Sequence, residues 1–258
     1  MTAEGTGVVH PGASLARPGE PSLLALLALF LAPGIAGTIV YLALAGPIQA
    51  AGAPAIDALL IAIVAVILPV EIAILLVARA RLRPAGEAVI PYRERMRPVT
   101  WLWLVPALIV AAFIGSALFV FMDGVLASQV FSWAPDWYLR PVDVAVVGRY
   151  SRTVWIVSLA AYLVVNVVAG PVVEELYFRG LLLPRMERFG RWAPLLNASL
   201  FSLYHLWSPW QLLSRIASAA PFIYAVRWRR NVYLGMVVHG ALNAISGVIL
   251  VVSVAQRL

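Results

Sequence analysis

The residues of this chain that could do chemistry are a few ionisable side chains inside otherwise apolar stretches. They are Glu71, Glu174, Glu175, Arg179, His205, Arg215 and His239. Two of the three histidines lie in such stretches. Because charged and titratable groups are costly in an apolar environment, they mark functional sites more often than they do on a water-exposed surface.

The spacing of these residues suggests separate roles. Glu175 and Arg179 are four residues apart, so on a helix they can form an ion pair. Glu174 is rotated about 100° from Glu175 on the same helix and stays available for other chemistry. His239 and Asn243 are also four residues apart and present an imidazole beside an amide, two donors that could orient a carbonyl or stabilise an oxyanion.

The distance of these side chains from charged segments predicts that they meet. Glu174, His205 and His239 lie 11, 14 and 9 residues from the nearest arginine of a basic cluster. At a rise of about 1.5 Å per residue, those separations place them roughly 13 to 21 Å below one surface. We therefore expect a single site that holds all three side chains.

The amino-acid composition indicates that the segments carrying this site lie in a membrane. Hydrophobic residues make up 62% of the chain and charged residues only 12%, which is typical of a membrane protein. Segments 21–56, 58–70, 98–122, 153–173 and 231–256 contain no charged residue. Since lipid offers no hydrogen bonds to the backbone, each crossing should be helical. A β-barrel would show alternating polarity, which is absent.

The predicted fold is an all-α, polytopic transmembrane helical bundle with about seven spans, in a range of six to eight. The expected spans are Leu23–Ala45, Ile56–Ala78, Thr100–Met122, Val154–Phe178, Trp192–Trp207, Trp210–Val226 and Val232–Val254. The loop from Arg79 to Arg97 carries six arginines, so it should be cytoplasmic, with the N-terminus on the same side. The net charge of +7 is thus interpreted as a topology signal, and no nucleic-acid partner is expected.

Three motifs together carry a family resemblance. Glu174-Glu175-x-x-x-Arg179, Phe201-x-x-x-His205 and His239-x-x-x-Asn243 occur in this order, each in a hydrophobic segment. This pattern resembles the CPBP family of intramembrane proteases, which includes the type II CAAX prenyl endopeptidases and bacteriocin-processing proteins. The resemblance covers about residues 154–254. Composition and hydropathy predict a disordered tail over 1–22 and N-terminal transmembrane helices and loops over 23–150, and the resemblance implies a catalytic core over 151–258.

The resemblance implies an endopeptidase site with a polar cavity open to the cytoplasmic side. Glu174 and His205 would activate a water, and His239 and Asn243 would stabilise the oxyanion, with Glu175 and Arg179 completing the motif. The family is often described as metalloproteases, which implies a divalent metal such as zinc on Glu174, His205 and His239. A carboxylate base without a metal suits the same residue types equally, so both mechanisms stay open here.

Other protease chemistries lack their residues in this chain. There is no cysteine, no HExxH, no Gly-x-Ser-x-Gly and no pair of aspartates within a span. The expected partners are a peptide or protein substrate and membrane lipid. The abundance of Ala, Arg and Gly without any lysine favours a bacterial plasma membrane.

Two other functions are compatible with the sequence. One is a non-catalytic immunity or scaffold protein of the same fold, because fold alone does not establish turnover. The other is a proton-coupled transporter, in which buried carboxylates and histidines relay protons. In a purely structural interpretation, the charged cluster would only pin helices together. The sequence assigns no role to Glu71, which could pair with Arg179 or Arg215 or line the cavity.

Overall fold

The computed structural model describes residues 21–258. Every regular secondary-structure element in that range is a helix. One isolated antiparallel bridge joins Arg93 to Asn231. The all-α membrane bundle predicted from the sequence is therefore confirmed. The predicted disordered tail, residues 1–22, lies almost wholly outside the described residues.

Ten α-helices follow one another along the described chain. They are α1 (Leu23–Ala50), α2 (Ala55–Ala62), α3 (Leu68–Leu82), α4 (Pro98–Val125), α5 (Asp136–Leu139), α6 (Arg152–Tyr162), α7 (Gly170–Glu174), α8 (Ala193–Tyr204), α9 (Leu212–Arg229) and α10 (Val232–Ala255). Wider π-type turns occupy Ile63–Ile67, Leu126–Val130, Leu163–Ala169 and Glu175–Leu182. Tighter 3₁₀ turns occupy Arg83–Ala85, Val144–Arg149, Leu183–Trp192 and Pro209–Gln211. Several α-helices thus join end to end into longer rods.

Within residues 21–258, five helical stretches are long and apolar enough to cross a membrane. They are Leu23–Ala50, Ala55–Ala85, Pro98–Val130, Arg152–Tyr204 and Val232–Ala255. The stretch Arg152–Tyr204 is not one straight helix, because Gly190 adopts φ 52° and ψ −133° and turns the chain before α8. The seven expected spans therefore correspond to helices, but only five stretches qualify as crossings.

The two remaining expected spans fail for different physical reasons. With 12 residues, α8 is only about 18 Å long, well short of a hydrocarbon core of about 30 Å. The ninth helix, α9, has 18 residues but includes Arg215, Arg227 and Arg229, which lower its hydropathy. These two helices pack against each other as a hairpin, with α1 against α8 and α4 against α9. The contact between α4 and α9 is close, because Gly115 of α4 lies directly against the Ala217 carbonyl of α9, where a side chain would not fit.

The three arginine-rich segments meet at one end of the bundle. Glu94 pairs with Arg230 at 2.8 Å, and the amide of Asn231 donates to the Glu94 carbonyl at 2.6 Å. The Tyr224 hydroxyl donates to the Arg191 carbonyl at 3.0 Å. The loop after α3, the turn before α8 and the turn after α9 therefore form a single basic face, which we call the arginine end.

The N-terminal and C-terminal halves of the described chain share one core. Leu26 and Phe30 of α1 and Leu104 of α4 pack in the same buried cluster as Phe178 and Phe201. On the outside, apolar side chains such as Leu102, Ile114, Leu118 and Phe121 of α4 remain exposed. Such a surface suits lipid, so the bundle buries its polar groups inside and presents apolar groups outward.

Candidate active site

The two adjacent glutamates lie where the helix geometry changes. Glu174 is the last residue of α7, and Glu175 begins the π-type stretch that ends at Leu182. Pro171 near the start of α7 has no N–H to donate, so the hydrogen-bond ladder before it is interrupted. Irregular helical turns of this kind occur often at functional sites.

Glu175 forms the expected ion pair with Arg179. Arg179 Nη1 lies 3.1 Å from Glu175 Oε1, and both side chains are fully buried. The guanidinium of Arg179 also sits 4.0 Å from the centroid of the Phe201 ring, a favourable cation–π position. This confirms the pairing that the four-residue spacing predicts.

Glu175 has a second partner that the spacing does not show. His239 Nδ1, on α10, lies 3.1 Å from the same Glu175 Oε1, and His239 Nε2 lies 3.8 Å from Glu174 Oε2. The imidazole is therefore held between the two carboxylates. Glu175 joins the helix that carries Arg179 to the helix that carries His239, and it is more than a partner for the arginine.

His205 caps the C-terminal end of α8. Its Nδ1 lies 2.7 Å from the Phe201 carbonyl, and its ring packs against those of Phe201, Tyr204 and Trp207. A carbonyl can only accept, so Nδ1 carries the proton of the neutral ring. The other nitrogen, Nε2, is then left with a lone pair that can accept a proton.

A residue of the neighbouring helical rod holds the Asn243 side chain in place. Its amide nitrogen donates to the Asn166 carbonyl at 2.7 Å, and the Asn166 amide donates to the Tyr162 hydroxyl at 2.9 Å. A side-chain amide has two N–H donors. One N–H of Asn243 is used to orient the group, and the second is available to a ligand.

A cavity of about 580 Å³ brings the predicted groups together. Glu174, His205, His239 and Asn243 all line it. Glu175 and Arg179 are buried behind this lining, and the Tyr204 hydroxyl donates to Glu174 Oε1 at 3.4 Å. The four residues expected to act on a substrate thus face one space, and the two others support them.

The cavity extends away from the arginine end. Its lining includes Asp123 at the far end of α4, Leu139 at the end of α5 and Pro141 from the segment between α5 and α6. None of the arginines of the three basic clusters, all within the described part of the chain, lines it. The resemblance implied a cavity open toward the arginine-rich side. The observed lining instead favours an opening at the opposite end, and the side of the opening stays a prediction.

A second polar group in the cavity was not anticipated as a unit. Arg215 Nη2 donates to Ser208 Oγ at 2.6 Å and to Gln211 Oε1 at 2.8 Å. Ser214 Oγ donates to Asp123 Oδ2 at 2.6 Å. All of these residues line the cavity. The sequence signal was the recurrence of polar residues every three or four positions from Gln211 onward, which marks one face of α9.

Glu71, which had several possible partners in the sequence analysis, is buried in α3. Neither of its carboxylate oxygens accepts a hydrogen bond from the described residues. It does not line the cavity, and Arg215 bonds elsewhere. Its charged neighbours are Glu174 and Arg179. Glu71 therefore adds a third carboxylate to the charged cluster behind the cavity.

The arrangement does not gather a metal-binding group. Within residues 21–258, no three histidine, cysteine, aspartate or glutamate side chains are placed to hold a metal ion together. His239 faces the two glutamates and His205 Nδ1 faces a carbonyl. Glu174, His205 and His239 thus do not share a common metal position as the side chains lie. A metal such as zinc on this set stays a prediction.

Comparison with known proteins supports the resemblance carried by the three motifs. Residues 156–245 match a family described as "Type II CAAX prenyl endopeptidase Rce1-like". The matched segment includes all six motif residues and falls within the 154–254 range expected from the sequence. No curated protein and no solved structure matches the chain. Over residues 156–245, the chain therefore carries a domain of the Rce1-like type II CAAX prenyl endopeptidase (CPBP) family.

Proposed function

We propose that this protein is an intramembrane endopeptidase that hydrolyses a peptide bond of a membrane-associated substrate. The observation that carries the proposal is the convergence of Glu174, His205, His239 and Asn243 on one cavity. These residues come from three separate helical segments of an apolar bundle. A packing role alone would not require all four polar groups to face the same open space.

In the proposed reaction, Glu174 and His205 activate a water molecule. Nε2 of His205 or a carboxylate oxygen of Glu174 accepts one water proton while the water oxygen attacks the scissile carbonyl carbon. The Tyr204 hydroxyl, which donates to Glu174 Oε1, keeps that carboxylate oriented. The second oxygen, Oε2, is left toward the side of His239.

His239 and Asn243 are assigned to the oxyanion of the tetrahedral intermediate. Asn243 keeps one N–H free after bonding Asn166. His239 is oriented by Glu175 through Nδ1 and donates to the oxyanion from Nε2 in its imidazolium form, in which both ring nitrogens carry a proton. Donors held in place before the reaction stabilise a developing negative charge without reorganisation. When the C–N bond breaks, the proton taken from water returns to the leaving amine, and the products are a carboxylate and an amine.

A peptide substrate and the surrounding lipid are the partners that this function requires. The cavity contains polar residues at the reacting centre and apolar ones, such as Ile56 and Leu59, elsewhere along its wall. Such a mixture suits a peptide segment with apolar side chains. We propose the bacterial plasma membrane as the location, with the arginine end in the cytoplasm.

The test uses the purified protein in proteoliposomes with a mixture of lipidated and unlipidated synthetic peptides. Cleavage in ¹⁸O water should place the label in each new carboxyl group, detected by mass spectrometry. Glu174→Gln and His205→Ala should abolish the products. Glu87→Gln, at an exposed glutamate in the arginine-rich loop, is the matched control and should cleave like the wild type.

Two results would reject the proposal. Wild-type rates in folded Glu174→Gln and His205→Ala variants would show that these side chains do not perform the chemistry. An absence of labelled products with every peptide would instead favour a non-catalytic scaffold or immunity protein. Proton flux across the same vesicles without peptide cleavage would favour the transporter.

A further inference from the structure

Arg215 places a positive charge in the cavity that holds the proposed catalytic residues. Its guanidinium hydrogen-bonds neutral acceptors, Ser208 Oγ at 2.6 Å and Gln211 Oε1 at 2.8 Å. No ion pair joins it to a carboxylate of the described chain, whereas Arg179 and Arg230 each have one. The cation of Arg215 is therefore oriented by its neighbours but is not neutralised by direct contact.

The guanidinium of Arg215 lies close to the proposed reacting centre. Arg215 lies within electrostatic range of both His205 and Glu174. Arg215, Ser208 and Gln211 line the same continuous cavity as these two residues. A peptide bound with its scissile bond at Glu174 would thus pass close to the guanidinium.

Asp123, an acidic residue in this part of the cavity, is already engaged through one of its two carboxylate oxygens. Asp123 accepts from Ser214 Oγ at 2.6 Å, one residue before Arg215, and it interacts with Arg215 only through longer-range attraction. A charge without a directly bonded counter-ion is costly in a low-dielectric bundle. A ligand that brings its own negative charge would remove much of that cost.

We propose that Arg215 is a substrate-binding residue that recognises a carboxylate of the bound peptide. A guanidinium is planar and can donate two parallel hydrogen bonds to a carboxylate. Ser208 and Gln211 hold it in the cavity for this contact. The recognised carboxylate belongs either to the C-terminus of the peptide or to an Asp or Glu side chain. This inference rests on the proposed peptidase function.

Binding measurements test the inference without turnover. In the Glu174→Gln background, a dansylated apolar hexapeptide with a free C-terminal carboxylate is compared with its C-terminal amide. A second pair of amidated peptides contains Glu or Gln at an internal position. We expect one acidic peptide to bind about 10- to 100-fold more tightly than its neutral partner, the range for a hydrogen bond to a charged group. The pair that shows the difference identifies the source of the carboxylate.

Variants of Arg215 assign the preference to its charge. Adding Arg215→Gln should reduce the ratio to about 1, and Arg215→Lys should retain an intermediate ratio because it keeps a charge without the planar fork. Asp123→Asn should increase the ratio, since it removes a nearby negative charge. Circular dichroism and thermal unfolding check that each variant is folded.

The outcomes separate this inference from the proposed function. Two results would overturn the inference. One is equal binding of the acidic and neutral peptides by the Glu174→Gln protein with Arg215 unchanged, and the other is a preference that survives in folded Arg215→Gln. Cleavage by the wild type would still support the peptidase in either case. Conversely, a charge-dependent binding preference without any hydrolysis would leave the subsite in place and reject the enzyme.

Discussion

His239 and Glu175 are in contact across two helices, with His239 Nδ1 3.1 Å from the carboxylate oxygen that also pairs with Arg179. This shared oxygen links the ion pair of the motif to an imidazole that lines the cavity. Gly235 of α10 lies directly against the other carboxylate oxygen of Glu175, where a side chain would not fit. The position of the imidazole thus depends on a buried carboxylate and on the close approach of α10.

Replacing Glu175 tests this link. Glu175→Gln removes the charge that orders His239 and Arg179, and we expect kcat to fall about 100-fold, the cost of misplacing a reacting group by about 1 Å. KM should change less, because Glu175 does not line the cavity. Initial rates in proteoliposomes measure both constants. A variant that folds normally and retains the wild-type kcat would show that His239 does not depend on Glu175.

Close packing of α1 on α8 supports His205. Gly34 lies against the backbone carbonyl of Tyr204, the residue before His205, so Gly34→Ala must push the helices apart. We expect a loss of about 1 to 3 kcal/mol in the free energy of unfolding, typical of an overpacked core. Gly46→Ala, in the same helix but with open space around it, is the control and should not destabilise. Denaturant titration in mixed micelles compares them, and equal effects would refute the proposed contact.

We expect the volume of the Glu71 side chain to contribute more to the free energy of unfolding than its charge does. Both of its oxygens lack a hydrogen bond from the described residues, and Glu174 is a like-charged neighbour. Glu71→Gln should therefore keep or raise the free energy of unfolding. Glu71→Ala should lower it by about 2 to 3 kcal/mol, because it leaves a cavity. Thermal unfolding in detergent provides the comparison. A large loss in the Gln variant would instead show that the negative charge stabilises the bundle.

Chelation tests the two mechanisms that the sequence left open. Because the side chains of Glu174, His205 and His239 are not grouped as metal ligands, we expect cleavage to persist after treatment with 1,10-phenanthroline and dialysis. Elemental analysis of the purified protein gives an independent measurement. Loss of activity that zinc restores, with about one metal ion per chain, would establish the metal-dependent mechanism.

The side from which the cavity opens can be measured with single cysteines, because the chain has none of its own. Ser218→Cys lies in the cavity lining, Asp136→Cys at the far end and Glu87→Cys in the arginine-rich loop. A membrane-impermeant maleimide should label Ser218→Cys from the same side as Asp136→Cys. Labelling of Ser218→Cys only from the side that labels Glu87→Cys would show that the cavity opens at the arginine end.

The sequence by itself determined the membrane bundle and the identity of the motif residues. Long uncharged segments have no stable alternative to helices in lipid, and side chains four residues apart share a helical face, which is why the Glu175–Arg179 pair was predictable. The joint occurrence of the three motifs also predicted that Glu174, His205, His239 and Asn243 converge.

Only the tertiary structure decided how these groups are connected and where the cavity leads. Three relationships involve residues far apart along the chain. They are the contact between His239 and Glu175, the close approach of Gly34 to Tyr204, and the cavity that Arg215 shares with Glu174 and His205. Local periodicity fixes the face of a helix, but the depth and rotation of one helix against another depend on packing of the whole bundle. Only the structure shows that α8 ends at His205 inside the bundle and that the cavity lining extends to Asp123 at the far end of α4.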